Sequence, residues 1–347
     1  CVTGLVVSDT ASTFSTFGRA VIISLIQIGG LGLVTITTFF ISLVRRKVGL
    51  RTRVLAQESS GSFTFTELPA LLRSIILLTF LFEFFGFIMF ATQFVPLFGM
   101  RDGLAKAGFH AVSSFCNAGF DLMGDTVSGP YSSMTAFSGN IVVMFTTMFL
   151  IVSGGLGFIV WRDLFSSVKT KKINVHSRIT LFATAILIIV GALYILVAEW
   201  RNVADQSMGT LPEWQRPIAA VFQSITMRTA GFNTLNMATL LDGTKLLCVV
   251  LMFIGAGSGS TGGGIKVSTF SLLVYSVYSE IRGRTDIVIR KHQIARVAVQ
   301  RAIAIFVLGL TLILFLSFIL TFTEAAALAE GRFEYLDLLF ESVSAFG

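Results

Sequence analysis

Residues 254–266 read IGAGSGSTGGGIK, thirteen residues of which six are glycine and three carry hydroxyls. Two chemistries use such a segment: a cradle for phosphate, or a break in a membrane helix that borders an ion path. A phosphate loop needs Gly-Lys followed directly by Ser or Thr, after a strand. Here Ile265 separates Gly264 from Lys266, Val267 follows, and the flanks are the apolar runs KLLCVVLMF and VSTFSLLVYSVY. The phosphate reading fails on its own pattern. Six glycines exceed what helix packing needs, and glycine disfavours helix. The segment therefore reads as a gate made of Gly255, Ala256, Gly257, Ser258, Gly259, Ser260, Thr261, Gly262, Gly263 and Gly264, closed by Lys266.

A second set of small residues recurs. CVTGL at 1–5, CNAGF at 116–120 and RTAGF at 228–232 stand 115 and 112 residues apart. Their surroundings recur as well: FHAVSSF (109–115) precedes the second motif, FQSITM (222–227) the third, and FESVSAFG occupies 340–347. Aligning Phe340-Glu341 with Phe109-His110 sets Gly347 opposite Cys116, at the start of a fourth motif. IQIGGLGLVT follows the first motif, IVSGGLGFIV the second, and FIGAGSGSTGGGIKV the third. Self-similarity at a fixed period is the mark of a repeat architecture. The unit is an outer helix, a short re-entrant helix, a short strand and an inner helix. The expected repeats are 1–53, 54–178, 179–284 with a broken inner helix, and 285–347, the first and last incomplete.

The elements that position these motifs belong in a membrane. The 347 residues are 54% hydrophobic and 13% charged, about half the charge of a soluble domain. Ala20–Val44, Ile179–Ala198, Leu246–Ile265 and Ala302–Thr323 are charge-free stretches of spanning length. Leu68–Pro96, interrupted by Arg73 and Glu83, and Gly139–Val160 are two further expected spans. Segments 103–115, 215–227 and 334–346 are too short to cross and are expected to be re-entrant. The fold class is an all-α polytopic membrane protein with four pseudo-symmetric repeats around one central pore.

Most of the 26 Lys and Arg gather in three clusters, Arg45–Arg73, Arg162–Arg178 and Arg282–Arg301. The positive-inside rule makes these loops cytoplasmic, so the net charge of +7 needs no nucleic acid to explain it. Cys1, Cys116 and Cys248 have neither metal nor disulfide spacing. The chain opens without Met and stops in mid-pattern, which reads as a fragment or trimmed numbering.

Non-helical backbone at membrane depth is tolerated where protein covers it or where it lines a wet cavity. A strand behind a re-entrant helix can aim carbonyls at an axis and replace the hydration shell of a cation. Glycine suits such a strand because it adopts positive φ without steric cost. The re-entrant helices would turn their partly negative C-terminal ends toward the same axis.

With these motifs the chain resembles the potassium-translocating subunits of the Trk/Ktr/HKT superfamily, Ktr-type membrane subunits most of all. CVTGLVVSDT, SSFCNAGFDL, ITMRTAGFNTLNM and GSTGGGIKVSTF carry the resemblance, which covers essentially the whole chain. It implies filter strands at Cys1-Val2-Thr3-Gly4, Cys116-Asn117-Ala118-Gly119 and Arg228-Thr229-Ala230-Gly231, with a fourth beginning near Gly347. It also implies potassium at the filter carbonyls, a gating loop in the third inner helix, and a plasma-membrane homodimer in the lipid bilayer. A cytosolic ring of nucleotide-binding RCK subunits of the KtrA type is the implied regulator. Serine at the first filter glycine accompanies sodium selectivity in plant relatives, so Gly4 points to potassium. Sodium dependence stays open, and no organic cofactor is implied.

Single residues divide between structural and ionic roles. Gly29, Gly30, Gly32, Gly154, Gly155 and Gly157 are read as packing positions first and hinges second. Glu83 pairs with pore-helix groups, serves the ion path, or sits near the interface. His110 and Glu341 are expected to brace their filters from behind. Arg228 is expected to pair with an outer acid such as Asp121 or Asp125, because facing the ion would oppose cation flow. Asp9 either attracts cations or bonds backbone amides. Lys266 snorkels or braces the gate. A broken-helix carrier for another solute would explain the glycines but not the repeated filter motif. No Ser/His pair, HExxH or paired membrane-depth aspartates point to an enzyme.

Overall fold

The computed structural model describes residues 2–32, 68–126, 129–283, 288–289 and 292–347. Helix α1 (Thr10–Thr13) starts at Asp9, and α2 (Thr16–Leu31) is capped by Ser15, whose hydroxyl accepts from the Gly18 amide at 3.2 Å. The α2 helix stops at Gly32, φ +81°. The remainder of the expected Ala20–Val44 span and the Arg45–Arg53 part of the first basic cluster lie outside the described residues.

Helix α3 (Leu68–Phe115) holds two legs that meet at Gly99, φ 79°. The expected span 68–96 does not stop at Pro96. Proline removes one backbone donor and strains the preceding turn, yet the break falls at the glycine, which alone takes the positive φ cheaply. The chain then turns back as the re-entrant leg 100–115.

Helix α4 (Ile141–Leu156) is capped by Asn140, which accepts from the Val143 amide at 3.1 Å. At Gly157, φ +95°, the chain bends by 93° into α5 (Phe158–Thr170). The stretch expected as the span 139–160 is therefore a bent pair. Helix α6 (Val175–Glu199) is long enough to cross a bilayer, α7 (Arg216–Thr226) is too short to, and α8 (Asp242–Ile254) and α9 (Val267–Ile281) flank the glycine loop. Thus the charge-free stretch 246–265 is helical only to Ile254. A two-residue antiparallel pair, β1 (Val288–Ile289) with β2 (His292–Gln293), lies in the third basic segment. It is followed by α10 (Arg296–Thr323), α11 (Ala325–Ala329) and α12 (Tyr335–Phe346). Glu334 and Asp337 form a capping box at the start of α12.

Among the described residues Leu72–Phe115, Val175–Glu199 and Arg296–Thr323 are long and apolar enough to cross a bilayer, and α4 with α5 would make a fourth crossing. Leu308, Leu312, Phe315 and Phe318 on α10 are exposed, whereas Gly309, Ile313 and Ser317 face inward. An apolar outer face is what lipid requires of a spanning helix. The core gathers where α4 packs on α3 and on α7, around Phe90, Phe94, Phe115, Met144, Leu150, Phe222 and Phe232. That core holds the ends of the re-entrant helices in place.

Candidate functional site

The re-entrant legs 100–115, α7 and α12 end beside one another, and the motif residues follow them as turns rather than paired strands. Gly4, Gly119 and Gly231 take φ of 71°, 72° and 85°. They meet at one point. A Cβ on Gly4 would stand 2.9 Å from the carbonyl oxygens of both Gly119 and Gly231. A Cβ on Gly119 would stand 2.6 Å from the Gly4 Cα, 2.7 Å from the Ala230 oxygen and 2.8 Å from the Gly231 Cα. Three units thus contribute backbone to one axis too narrow for any side chain. Gly347 closes the fourth side: a Cβ there would lie 2.7 Å from Cγ2 of Thr229 and 3.3 Å from Cγ2 of Thr3. Cys1 lies outside the described residues. Val2 offers its carbonyl to the Thr3 hydroxyl at 2.5 Å, and that hydroxyl also reaches the Ser344 carbonyl on α12 at 2.7 Å.

Thr3, Asn117 and Thr229 also have positive φ, 71°, 50° and 66°. Non-glycine residues there are strained, and such strain collects at functional sites. What holds them is a repeated brace. The Ala118 amide donates back to Ser113 at 2.9 Å, and the Ala230 amide to Thr226 at 2.8 Å. The Ser113 hydroxyl donates to the Phe120 carbonyl and the Thr226 hydroxyl to the Phe232 carbonyl, each at 2.6 Å. Those carbonyls directly follow Gly119 and Gly231. The sequence carried this signal as a hydroxyl near the end of SSF and SIT, and it was missed.

His110 is fully buried among Phe90, Phe94, Phe109 and Phe232. Its Nδ1 lies 2.8 Å from the Lys106 carbonyl and its Nε2 accepts from the Leu122 amide at 3.5 Å. It stands behind the segment that leaves Gly119. Glu341, in the aligned position on α12, is exposed and does not repeat this arrangement, because α12 turns that face away from the core. Glu83 is buried. It accepts from Gln27 on α2 at 3.2 Å and lies 3.9 Å from the sulfur of Cys116, the residue that follows α3.

Asp9 bonds amides. Its carboxylate accepts from the Ser12 amide and hydroxyl, both at 2.8 Å, and from the Tyr131 amide at 3.2 Å. Burial works against its ionisation, but the bonds from Ser12 and Tyr131 outweigh that and hold the carboxyl below the usual range. Asp121 accepts from the Met123 amide at 2.8 Å. Burial pushes its carboxyl up to about 6, against that one bond. Lys106 pairs with Asp125 at 2.6 Å, reaches the Leu122 carbonyl, and lies 4.7 Å over the Phe98 ring. Nothing in the sequence pattern marks this pairing.

Neither outer acid meets Arg228. Its guanidinium turns the other way and donates through Nε and Nη2 to the Gly255 carbonyl, at 3.2 and 3.1 Å. Arg228 is 5% exposed. The loop from Gly255 to Lys266 lies against the motif residues that follow α3 and α7. Its Gly263 amide donates to the Thr229 hydroxyl at 2.9 Å, and the Thr261 hydroxyl donates to the Phe115 carbonyl at 2.8 Å. The Gly257 and Thr261 amides donate to the Gly155 and Gly154 carbonyls at 2.8 and 3.2 Å. In return the Phe158 amide donates to Gly259 at 3.0 Å. Ser258 and Ser268 share a 2.6 Å bond, and the Ser260 hydroxyl donates to Gly257 at 2.6 Å. Lys266 turns back to the Gly262 carbonyl at 2.5 Å, bracing the loop rather than snorkelling. Ala256 and Gly264 fill its return, where the Ala256 amide meets the Gly263 carbonyl at 3.2 Å.

The glycines of the inner helices divide. A Cβ on Gly154 would run into the Phe115 carbonyl, so that position is close packing. Gly30 packs on Cys116, and Gly29 has nothing within 4 Å. Gly32 ends α2. Gly157 forms the bend between α4 and α5 and is also closely packed, since a Cβ there would lie 2.5 Å from the Ser258 carbonyl oxygen. Among the described residues no group of three or more His, Cys, Asp or Glu could hold a metal ion. The oxygens that converge belong to backbone.

Long apolar helices together with short helices that end beside one another define a polytopic helical membrane protein. The sequence profile of the family described as TrkH, cation transport protein, matches residues 1–347. The chain belongs to this family. It is 35% identical over 346 residues to the Ktr system potassium uptake protein B of Bacillus subtilis, covering 100% of this chain and 74% of that protein. It is also 35% identical to the potassium/sodium uptake protein NtpJ of Enterococcus hirae over 347 residues, again 100% and 74%. The crystal structure of the potassium transporter TrkH from Vibrio parahaemolyticus superposes with a TM-score of 0.63 at 18% identity. It covers 97% of this chain, which spans 64% of that transporter. That likeness concerns the fold.

Proposed function

We propose that this chain passes potassium across the plasma membrane through a channel-like pore. The filter is formed by Val2, Thr3 and Gly4, by Cys116 to Gly119, by Arg228 to Gly231, and by Cys1 and Gly347. The observation that carries the reading is the meeting of Gly4, Gly119 and Gly231 at positive φ, which brings backbone carbonyls of three units to one axis. Carbonyl oxygens suit an alkali cation because they replace its water without a side-chain charge. Potassium is favoured because the B. subtilis and E. hirae relatives, which match this chain over its whole length, are named for its uptake. Sodium enters as a second cation through the E. hirae name alone. The four repeats are 1–53, 54–178, 179–284 and 285–347.

The loop from Gly255 to Lys266 is the gate of this pore, since it lies on the inner side of the filter residues and is held by hydrogen bonds instead of helix. The protein works as a homodimer in the bilayer. Its basic segments Arg162–Arg178 and Arg282–Arg301 meet a cytosolic RCK-type ring of nucleotide-binding subunits. Rubidium uptake in a host lacking its own potassium uptake tests the reading. Changing Gly4 or Gly231 to Ser alters the order of alkali cations taken up, and deleting 255–264 raises flux. Unaltered cation order in both serine variants would remove the filter assignment, and unchanged flux in the deletion would remove the gate.

A further inference from the structure

Among the described filter residues, Arg228 is the one whose side chain hydrogen-bonds the loop's entry at Gly255. The aligned first positions of the other units are Cys1, Cys116 and Gly347, none of which carries a charge. The unit with the arginine is also the unit whose inner helix opens into the glycine loop. Arg228 grips the Gly255 carbonyl with two donors. Gly255 caps α8 with φ 62° and ψ −142°, a conformation that only glycine adopts readily. The C-terminal end of a helix carries partial negative charge and unpaired carbonyls, so a buried guanidinium there is both a cap and a counter-charge. The neighbouring residue, Thr229, holds the far end of the same loop through the Gly263 amide. Two consecutive filter residues thus hold both ends of the loop.

We propose that Arg228 and Thr229 form a latch that couples the third filter to the gating loop, Arg228 acting as a positioning residue. This rests on reading 255–266 as the gate. The loop leaves its place only if Gly255 and Gly263 let go of the filter, or if the filter backbone moves with them. Occupancy of the filter by a cation, which fixes that backbone, then biases the loop, and the loop biases the filter in return. A charge-assisted hydrogen bond is worth enough to shift a two-state equilibrium by about tenfold.

The test uses purified full-length protein in proteoliposomes, with rubidium flux as one readout and amide hydrogen exchange of peptides over 255–266 as the other. Arg228→Gln is expected to raise resting flux about tenfold and to speed exchange in the loop. Arg228→Lys, which keeps the charge and one donor, is expected to restore part of both. In protein lacking 255–264, Arg228→Gln is expected to add no further flux, because its effect passes through the loop. An equal fold-change with and without the loop would overturn the latch, as would unchanged exchange in Arg228→Gln. A loop deletion that leaves flux unchanged would instead overturn the gate reading, and the exchange measurement would still decide whether Arg228 holds the loop. Should Arg228→Gln fail to fold, Arg228→Lys alone decides by the same two readouts.

Discussion

Gly119→Ala adds a single methyl group to the second filter. Gly119 sits at φ 72°, where an L-residue costs roughly 1–2 kcal/mol. The new Cβ would stand 2.6–2.8 Å from the Gly4 Cα, the Ala230 oxygen and the Gly231 Cα. All three are backbone, so no flexible side chain can swing away. Restoring an ordinary 3.4 Å contact moves the opposing backbone by roughly 0.6–0.8 Å. That displacement changes the spacing of the carbonyls on which discrimination between cations of different radius depends. The expected result is a fall of at least about tenfold in preference for potassium over sodium, equivalent to about 1.4 kcal/mol. The assay is rubidium uptake into proteoliposomes, competed by potassium or by sodium. Gly29→Ala is the control: it lies on α2 with nothing within 4 Å of its new methyl, and helix interiors favour Ala over Gly. Preserved discrimination in Gly119→Ala, at wild-type flux, would refute the reasoning.

Other perturbations probe the supports. Ser113→Ala and Thr226→Val each remove a donor to the carbonyl after a filter glycine. Each is expected to cost about 1–3 kcal/mol by leaving that oxygen unpaired, read as a lower thermal midpoint; an unchanged midpoint would count against the brace. At Asp121 burial raises the folded-state pKa from 3.8 to about 6, so the folded chain holds that proton more tightly than the unfolded chain. The resulting stability is complete below about pH 3.8 and is lost as pH rises through about 6. Asp121→Asn keeps an acceptor for the Met123 amide. It should gain on the wild type between about pH 4 and 7, by at most ~3 kcal/mol, read as the difference in thermal midpoint. A constant difference across that range would contradict the burial argument.

The short helices between the long ones were legible because they are short-range signals. The expected 103–115, 215–227 and 334–346 lie within a few residues of the leg 100–115, Arg216–Thr226 and Tyr335–Phe346. Apolar length with no charge marks what lipid surrounds, and a recurring glycine marks where the backbone must take positive φ. Partners across units were not legible. Thr261 meets Phe115 across 146 residues, and Arg228 meets Gly255 although acids lie nearer the mouth in sequence. Hydropathy says that Arg228 needs a partner but not that a helix-capping carbonyl supplies it. Gly157 looked like its neighbours Gly154 and Gly155, and only its place at the end of α4 makes it the bend. The same holds for Glu341. Its alignment with His110 is sound by sequence, but the aromatic cage that buries His110 comes from α3 and from Phe232, and α12 is not set into it.

The central claim is that a dehydrated potassium ion stands where the three glycines meet. The most direct measurement is a structure of the protein in rubidium, with the ion located by its anomalous scattering. The account predicts density on the axis beside the carbonyls around Gly4, Gly119 and Gly231, lost when Gly119 is changed to Ala. Rubidium bound away from these residues, with the axis filled by protein alone, would contradict it.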